Sequence, residues 1–308
     1  MALQSNWLVV EHGRTPTSRV ARRTLRKRLD AVWTTLAAAA GDSPDPERVH
    51  RLRVATRRTL AAFDAFADLL PTGRRRWFEK RLRRLRRTAG AARDLDVLTD
   101  RLGREPRAAE PRGPGPRGRL VAMLSRQRVA SRAPIRRLYD ELLAEDWHAR
   151  TERLVDAVGR RGHDRPFAAH ARRRFRPLVE QFFTLADRRL RAADDIHRLR
   201  IEGKKLRYAM EIFASVFPAH ERARCEEALE RLQRTLGEFT DHAAAEERLR
   251  RWARDDGAAA ARRTIADLRS HEAKAADRAR RAFTKWWSPS RRRWLRRTLE
   301  RTLRRRTA

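Results

Sequence analysis

An internal repeat limits the folds open to this chain. A shift of 147 residues aligns residues 47–98 with residues 194–245 without a gap. The aligned pairs include His50 with His197, Leu52 with Leu199, Pro71 with Pro218, Gly90 with Gly237 and Asp94 with Asp241. An Arg-rich composition produces chance Arg matches, but it does not produce matched His, Pro, Gly and Asp in one register. The repeat therefore predicts two related halves.

Helical spacing of apolar residues predicts the fold class. Apolar positions recur at i, i+3, i+4 and i+7 through long windows, and alternation typical of strands is nearly absent. The pattern predicts helices at about 17–40, 46–70, 73–102, 118–145, 147–160, 166–192, 194–217, 219–253, 258–287 and 290–305. We expect an all-α protein with a tail at 1–16, a first half at 17–160, a second half at 164–290 and a basic helix or tail at 291–308. A Pro/Gly-rich segment at 103–118 is predicted to be a connector inside the first half.

The charge of the chain points to its partners. Lys and Arg number 75 against 40 Asp and Glu, so the net charge is +35 over 308 residues. Such an excess attracts polyanions. Hydrophobic residues make up 41% and recur at helical spacing, which indicates a folded core rather than disorder. A single cysteine, no apparent signal peptide and no apolar run long enough for a bilayer predict a soluble, cytoplasmic protein.

The repeated helix separates an apolar face from a row of cations. On a helical wheel, Leu52, Thr59 and Phe63 share one face, whereas His50, Arg53 and Arg57 share the opposite face. The second copy places Leu199, Leu206 and Met210 opposite His197, Arg200 and Lys204. The rows contain no acidic residue until Asp64 and Glu211, although solvated helix faces usually mix charges. An anion that neutralises the rows explains their presence in both halves.

The matched histidines allow three interpretations. His50 and His197 are capping or core residues, donors to a phosphate that are charged near pH 6 to 7, or metal ligands. The neighbouring arginines oppose a metal cation. Asp94 and Asp241 are interpreted as groups that orient arginines rather than as catalytic acids. Trp286, Trp287 and Trp294 are interpreted as core residues, although stacking on bases is the alternative.

The other function classes find less support in the sequence. The nucleotide-binding, hydrolase and metalloprotease motifs are missing, so we expect a protein that is not an enzyme and needs no cofactor or metal. A nonspecific nucleic-acid binder would use the same charge at low salt, but base readout needs side chains that the rows lack apart from Tyr208. A polyphosphate-processing or metal-dependent phosphohydrolase would need a carboxylate cluster, and only Asp94 and Asp96 offer one.

Three segments resemble the CHAD family, the conserved histidine α-helical domain. They are Val49–Arg58, Ile196–Tyr208 and the stretch Leu85–Leu98, which contains Gly90 and Arg93-Asp94-Leu95-Asp96-Val97. The resemblance covers about residues 15–290. Two positions differ between the halves: His242 stands opposite Leu95, and Tyr208 stands opposite Ala61, so the first half is expected to form the less regular part of a site.

The resemblance implies two pseudo-symmetric helical bundles around a basic central cavity that binds inorganic polyphosphate, in a standalone member associated with polyphosphate granules. Some members of the family carry a catalytic triphosphate-tunnel domain, whose ExExK motif is missing here. The oligomeric state is left open. The expected contacts are basic residues matched between the halves: His50, Arg53, Arg57, Arg58, His197, Arg200, Lys204 and Lys205, followed by Arg84, Arg87, Arg231 and Arg234.

Overall fold

The structure, a computed structural model, describes residues 13–104, 115–160, 164–188, 190, 193–254 and 262–304. These residues contain eleven α-helices and two short 3₁₀ helices but no β-strand, which confirms the predicted all-α class. The α-helices are α1 Thr17–Ala40, α2 Pro46–Ala65, α3 Thr72–Arg104, α4 Pro116–Ala130, α5 Ala133–Ala144, α6 Trp147–Asp156, α7 Phe167–Ala186, α8 Ala193–Ile212, α9 Ala219–Trp252, α10 Arg262–Trp286 and α11 Pro289–Arg304.

The first compact unit comprises Thr17–Asp164. Helix α1 packs against α2, α5 and α6, and α3 packs against α2, α4 and α5. Leu25, Leu29 and Val32 follow one another at helical spacing on α1 and are fully buried, because that face of α1 meets its three neighbours. Phe63 of α2 and Phe78 of α3 join this core with their ring centroids 5.9 Å apart.

The second compact unit begins at Arg165 and includes the N-terminal residues up to Pro16. Helix α9 packs against α8, α10 and α11, and α7 packs against α8 and α11. The carbonyl of Thr15 accepts a hydrogen bond of 2.9 Å from the backbone N–H of Phe167, which ties the N-terminal segment to the start of α7. Phe175, Phe182 and Phe213 are buried in the core of this unit.

The 147-residue offset reappears in the helix bounds. Helix α2 and the 3₁₀ helix Ala67–Leu69 have the same lengths and spacing as α8 and the 3₁₀ helix Ala214–Val216. A hydrogen bond of 3.2 Å is also repeated, from the guanidinium of Arg75 to the carbonyl of Ala67 and from Arg222 to Ala214. The superposition of the two halves as whole bodies stays a prediction.

The helix that the sequence predicts at 118–145 is in fact two helices. Helix α4 ends at Ala130, α5 begins at Ala133, and Ser131 and Arg132 separate them. Pro134 explains the break, because its ring disfavours a continuous helix through the preceding turn. The predicted connector at 103–118 falls largely outside the described residues, since α3 reaches Arg104 and α4 already begins at Pro116.

Candidate anion-binding site

The start of α2 sets the orientation of the first basic row. The Asp45 carboxylate caps the helix by accepting a hydrogen bond of 2.9 Å from the backbone N–H of Glu47, and Pro46 occupies the first turn. The helix then buries its apolar face, including Leu52 and Phe63. The opposite face therefore carries the predicted row of His50, Arg53 and Arg57, each partly exposed to solvent.

One ion pair occurs at equivalent positions in both units. A guanidinium nitrogen of Arg53 lies 3.7 Å from the Asp94 carboxylate on α3. The matched pair, Arg200 on α8 and Asp241 on α9, is separated by 3.8 Å. Both aspartates thus contact arginines of the basic rows, as expected for orienting groups. The arginine side chains are 23% and 19% exposed, so each is confined but still reaches the surface.

Both matched histidines favour their neutral form. Burial lowers the pKa of His50 below its ordinary value of 6.5, and the nearby charges of Arg93, Arg53 and Arg57 lower it further, against a smaller opposing effect of Glu47. Burial also lowers the pKa of His197, followed by the charges of Arg200 and Lys204, with Asp194 opposing. Without an anion, each histidine is therefore protonated at a lower pH than a free imidazole. A bound anion would reverse the effect of the surrounding cations.

The flanking cations of the two rows are Arg58 and Lys205. Arg58 is partly buried on α2. Lys205 is exposed on α8 and its ammonium group lies 2.7 Å from the carboxylate of Glu202, which is itself buried. Lys204 is partly exposed on the same helix. The second row therefore has a carboxylate on its flank.

Arg84 and Arg231 contact helices other than those that carry the basic rows. The guanidinium of Arg84 lies 2.5 and 2.7 Å from the two carboxylate oxygens of Glu141 on α5. Arg231 lies over the ring of Trp286, with its guanidinium carbon 5.3 Å from the ring centroid. Arg87 and Arg234 are exposed on α3 and α9. The structure thus gives Arg84 and Arg231 contacts with α5 and α10 rather than with α2 and α8.

Two arginines that sequence reasoning did not select lie beside the first row. Arg93 of α3 is the charge that most lowers the pKa of His50. Arg86 of α3 has its pKa lowered by burial and then by Arg57 of α2. The two arginines are seven residues apart and so share a face of α3, and Arg93 directly precedes Asp94. A helical wheel of α3, anchored on Asp94, would have found them.

The tryptophans near the C-terminus contribute to the core. Trp286 and Trp287 are buried, and their ring centroids lie 5.5 Å apart. Trp294 is partly exposed, and the guanidinium of Arg224 lies 5.2 Å from its ring centroid. Of the three rings, the two buried ones therefore offer no surface for a base to stack on.

The described residues show neither a membrane span nor a metal cluster. No helix among them is both long and apolar enough to cross a bilayer. They also contain no group of three or more His, Cys, Asp or Glu side chains placed to hold a metal ion. The arrangement on α2, α3, α8 and α9 is one of cations with anchoring aspartates, which is suited to binding anions.

Comparison with known proteins gives one family. The model of the CHAD domain matches residues 23–250. Among solved structures, the CHAD domain from the plant Ricinus communis is similar with a TM-score of 0.72 and 21% identity, covering 97% of this chain and 96% of that one. PptA from Streptomyces chartreusis is similar with a TM-score of 0.54 and 20% identity, covering 89% and 99%. No curated protein matches the chain.

Proposed function

The chain belongs to the CHAD family, and on this premise we propose that it is a non-catalytic binding protein for inorganic polyphosphate. The proposal joins the ligand implied by the family to the two basic rows, on α2 and α8. The residues proposed to contact polyphosphate are His50, Arg53, Arg57 and Arg58 on α2, and His197, Arg200, Lys204 and Lys205 on α8. A role at polyphosphate granules in the cytoplasm is part of the proposal.

The repeated arginine–aspartate pair is the observation that carries the proposal. Arg53 and Arg200 are each held beside an aspartate of the following helix at nearly equal distances. An arginine that is already oriented loses less conformational freedom when it grips a phosphate. The partly exposed His50, Arg57, His197 and Lys204 of the same rows add further positive charge for a charged chain to contact. Polyphosphate carries repeated negative charge and no bases, which fits rows built from cations alone.

Tyr208 supplies an argument against recognition of bases. It is the aromatic residue that lies nearest to a basic row in the sequence, and base stacking requires an exposed ring. The ring is buried, with 6% of the residue exposed, and the guanidinium of Arg207 lies 5.2 Å from its centroid. Tyr208 therefore offers no platform for a base, whereas the basic rows provide charge for a phosphate backbone. This favours polyphosphate over nucleic acid.

A competition experiment tests the proposed function. Long-chain polyphosphate and duplex DNA are titrated against each other on the full chain at ~150 mM salt, where weak electrostatic binding is screened. We expect polyphosphate to displace DNA, and DNA at equal phosphate concentration to leave bound polyphosphate in place. Displacement of polyphosphate by DNA would replace the proposal with nucleic-acid binding.

A further inference from the structure

The two basic rows differ in the helix that packs beside each one. Under the 147-residue shift, Arg83, Arg86 and Arg93 of α3 correspond to Glu230, Gln233 and Thr240 of α9. Three cations beside the first row are thus replaced by one acid and two neutral residues beside the second. The rows on α2 and α8 are alike, but their electrostatic surroundings are not.

The space beside the two rows also differs. Gly90 lies between Arg86 and Arg93 on α3, and a Cβ placed on it would meet no described atom of a neighbouring element within 4 Å. At the matched Gly237 of α9, such a Cβ would lie 3.4 Å from a guanidinium nitrogen of Arg200. The first row therefore has open space next to its cations, whereas in the second unit the arginine of the row occupies that space.

The cations of the first unit gather around this open space. Arg57 of α2 lies close enough to Arg86 of α3 to lower its pKa, and Arg93 acts in the same way on His50. Across the described part of the chain, no carboxylate lies within ion-pair distance of Arg57, Arg86 or Arg93. The charge of Asp64 opposes the effect of these arginines on Arg86, and the cations that remain in excess over their counter-charge repel one another. A bound anion relieves that repulsion.

The matched positions of the second unit already have other contacts. The amide of Gln233 donates a hydrogen bond of 3.2 Å to the carbonyl of Arg200, and it lies 2.6 Å from where a Cβ of Gly203 would be. Gln233 is therefore held between α8 and α9. Glu230 lies 3.8 Å from Arg207, and burial together with Glu230 and other acids raises the pKa of nearby Glu226 to about 7. The second unit thus places Glu230 beside Arg207 of α8, at the position that Arg83 occupies in the first unit.

Resting on the proposed function, we propose that the two basic rows bind phosphate unequally. The primary phosphate site lies on α2 and α3 around Gly90, with Arg57, Arg86 and Arg93 as its main ligands and His50 and Arg53 at its edge. The row on α8 binds the same ligand more weakly.

Matched charge removals in the two units test the inequality. Isothermal titration with tripolyphosphate, a short probe, is carried out at ~150 mM salt on the full chain. The first variant combines Arg86→Gln with Arg93→Thr and so installs the residues of the second unit. The second combines Lys204→Gln with Arg234→Gln and removes the same charge. We expect the first variant to lose at least about tenfold in affinity and the second, which removes charge from the weaker row, to lose only about threefold.

A steric variant tests the same site without removing a charge. Gly90→Leu fills the open space, and Gly73→Leu on the same helix is its control, because a Cβ on Gly73 also meets no described atom within 4 Å. We expect Gly90→Leu to weaken tripolyphosphate binding by about fivefold or more and Gly73→Leu to leave it unchanged. If the charge variants do not fold, this comparison alone tests whether the site around Gly90 binds phosphate.

The possible outcomes separate the two proposals. Equal losses in the two charge variants, or unchanged affinity in Gly90→Leu, overturn the unequal binding and leave polyphosphate binding intact. A wild-type chain that binds neither tripolyphosphate nor long-chain polyphosphate overturns the proposed function itself, and the inequality with it.

Discussion

At the residue scale, we expect the two matched histidines to link anion binding to proton uptake. His50 faces Arg93 of α3 in addition to Glu47, Arg53 and Arg57 of its own helix, and His197 faces Asp194, Arg200 and Lys204. The pKa of each histidine is lowered from 6.5, so the unfolded chain binds more protons than the folded chain below that pH. The stability of the free protein is therefore predicted to fall as pH decreases through about 6.5. A polyanion favours the charged imidazole and raises the pKa again.

Polyphosphate affinity should consequently increase as pH falls from about 7.5 to about 6. We expect the wild type to bind several-fold more tightly at the lower pH and to take up protons on binding. Calorimetry in two buffers of different ionisation enthalpy measures both effects. The double variant His50→Gln with His197→Gln should lose most of the pH dependence. Wild-type affinity that does not change over this range would show that neither histidine lies near the bound anion.

At the scale of the helices, a buried aspartate joins α3 to α4 and α5. The carboxylate of Asp96, 2% exposed, lies 2.8 Å from the guanidinium of Arg128 and 3.0 Å from that of Arg132. Arg128 also donates a hydrogen bond to the carbonyl of Pro44, just before α2. Through these two arginines, Asp96 thus holds the junction between α4 and α5 against α3. Through Arg128, it also connects this junction to the segment before α2.

Replacing Asp96 should destabilise the first unit. We expect Asp96→Asn to lower the free energy of unfolding by about 2 kcal/mol, since two arginines lose a buried counter-charge but remain partly exposed. Asp42→Asn is the control, because Asp42 is 94% exposed in its pair with Arg136 and should contribute less than about 0.5 kcal/mol. Urea denaturation measures the free energy of unfolding of both variants and of the wild type. Equal effects would mean that Asp96 does not hold these helices together.

The helices themselves were largely predictable from the sequence, whereas contacts between helices were not. Apolar spacing within a single helix predicted the faces of α2 and α8, and the repeat register matched Asp94 with Asp241 as groups that orient arginines. The arginines that they contact, Arg53 and Arg200, are given only by the structure. Arg86 and Arg93 were missed because a wheel of α2 says nothing about what α3 places beside it. The break at Ser131 was missed because Pro134 was not weighed against the periodicity around it.

At the scale of the whole molecule, the high net charge makes it difficult to distinguish a specific anion site from general attraction of polyanions. A chain with a net charge of +35 attracts any polyanion at low salt, so binding alone is weak evidence for a site. A site is shown only when cations at named positions matter more than equal numbers of cations elsewhere. The second unit offers such a comparison, because α10 and α11 carry exposed cations away from the basic rows. These are Lys274, Lys285, Arg293 and Arg297.

The decisive measurement compares two variants that each lose four positive charges. One changes Arg57, Arg58, Lys204 and Lys205 to Gln, and the other changes Lys274, Lys285, Arg293 and Arg297 to Gln. Long-chain polyphosphate is titrated against both at ~150 mM salt, with thermal melting to confirm folding. If the basic rows bind polyphosphate, the first variant loses about a hundredfold in affinity or more, and the second stays within about threefold of the wild type. Equal losses would contradict binding at the rows and leave only attraction by net charge.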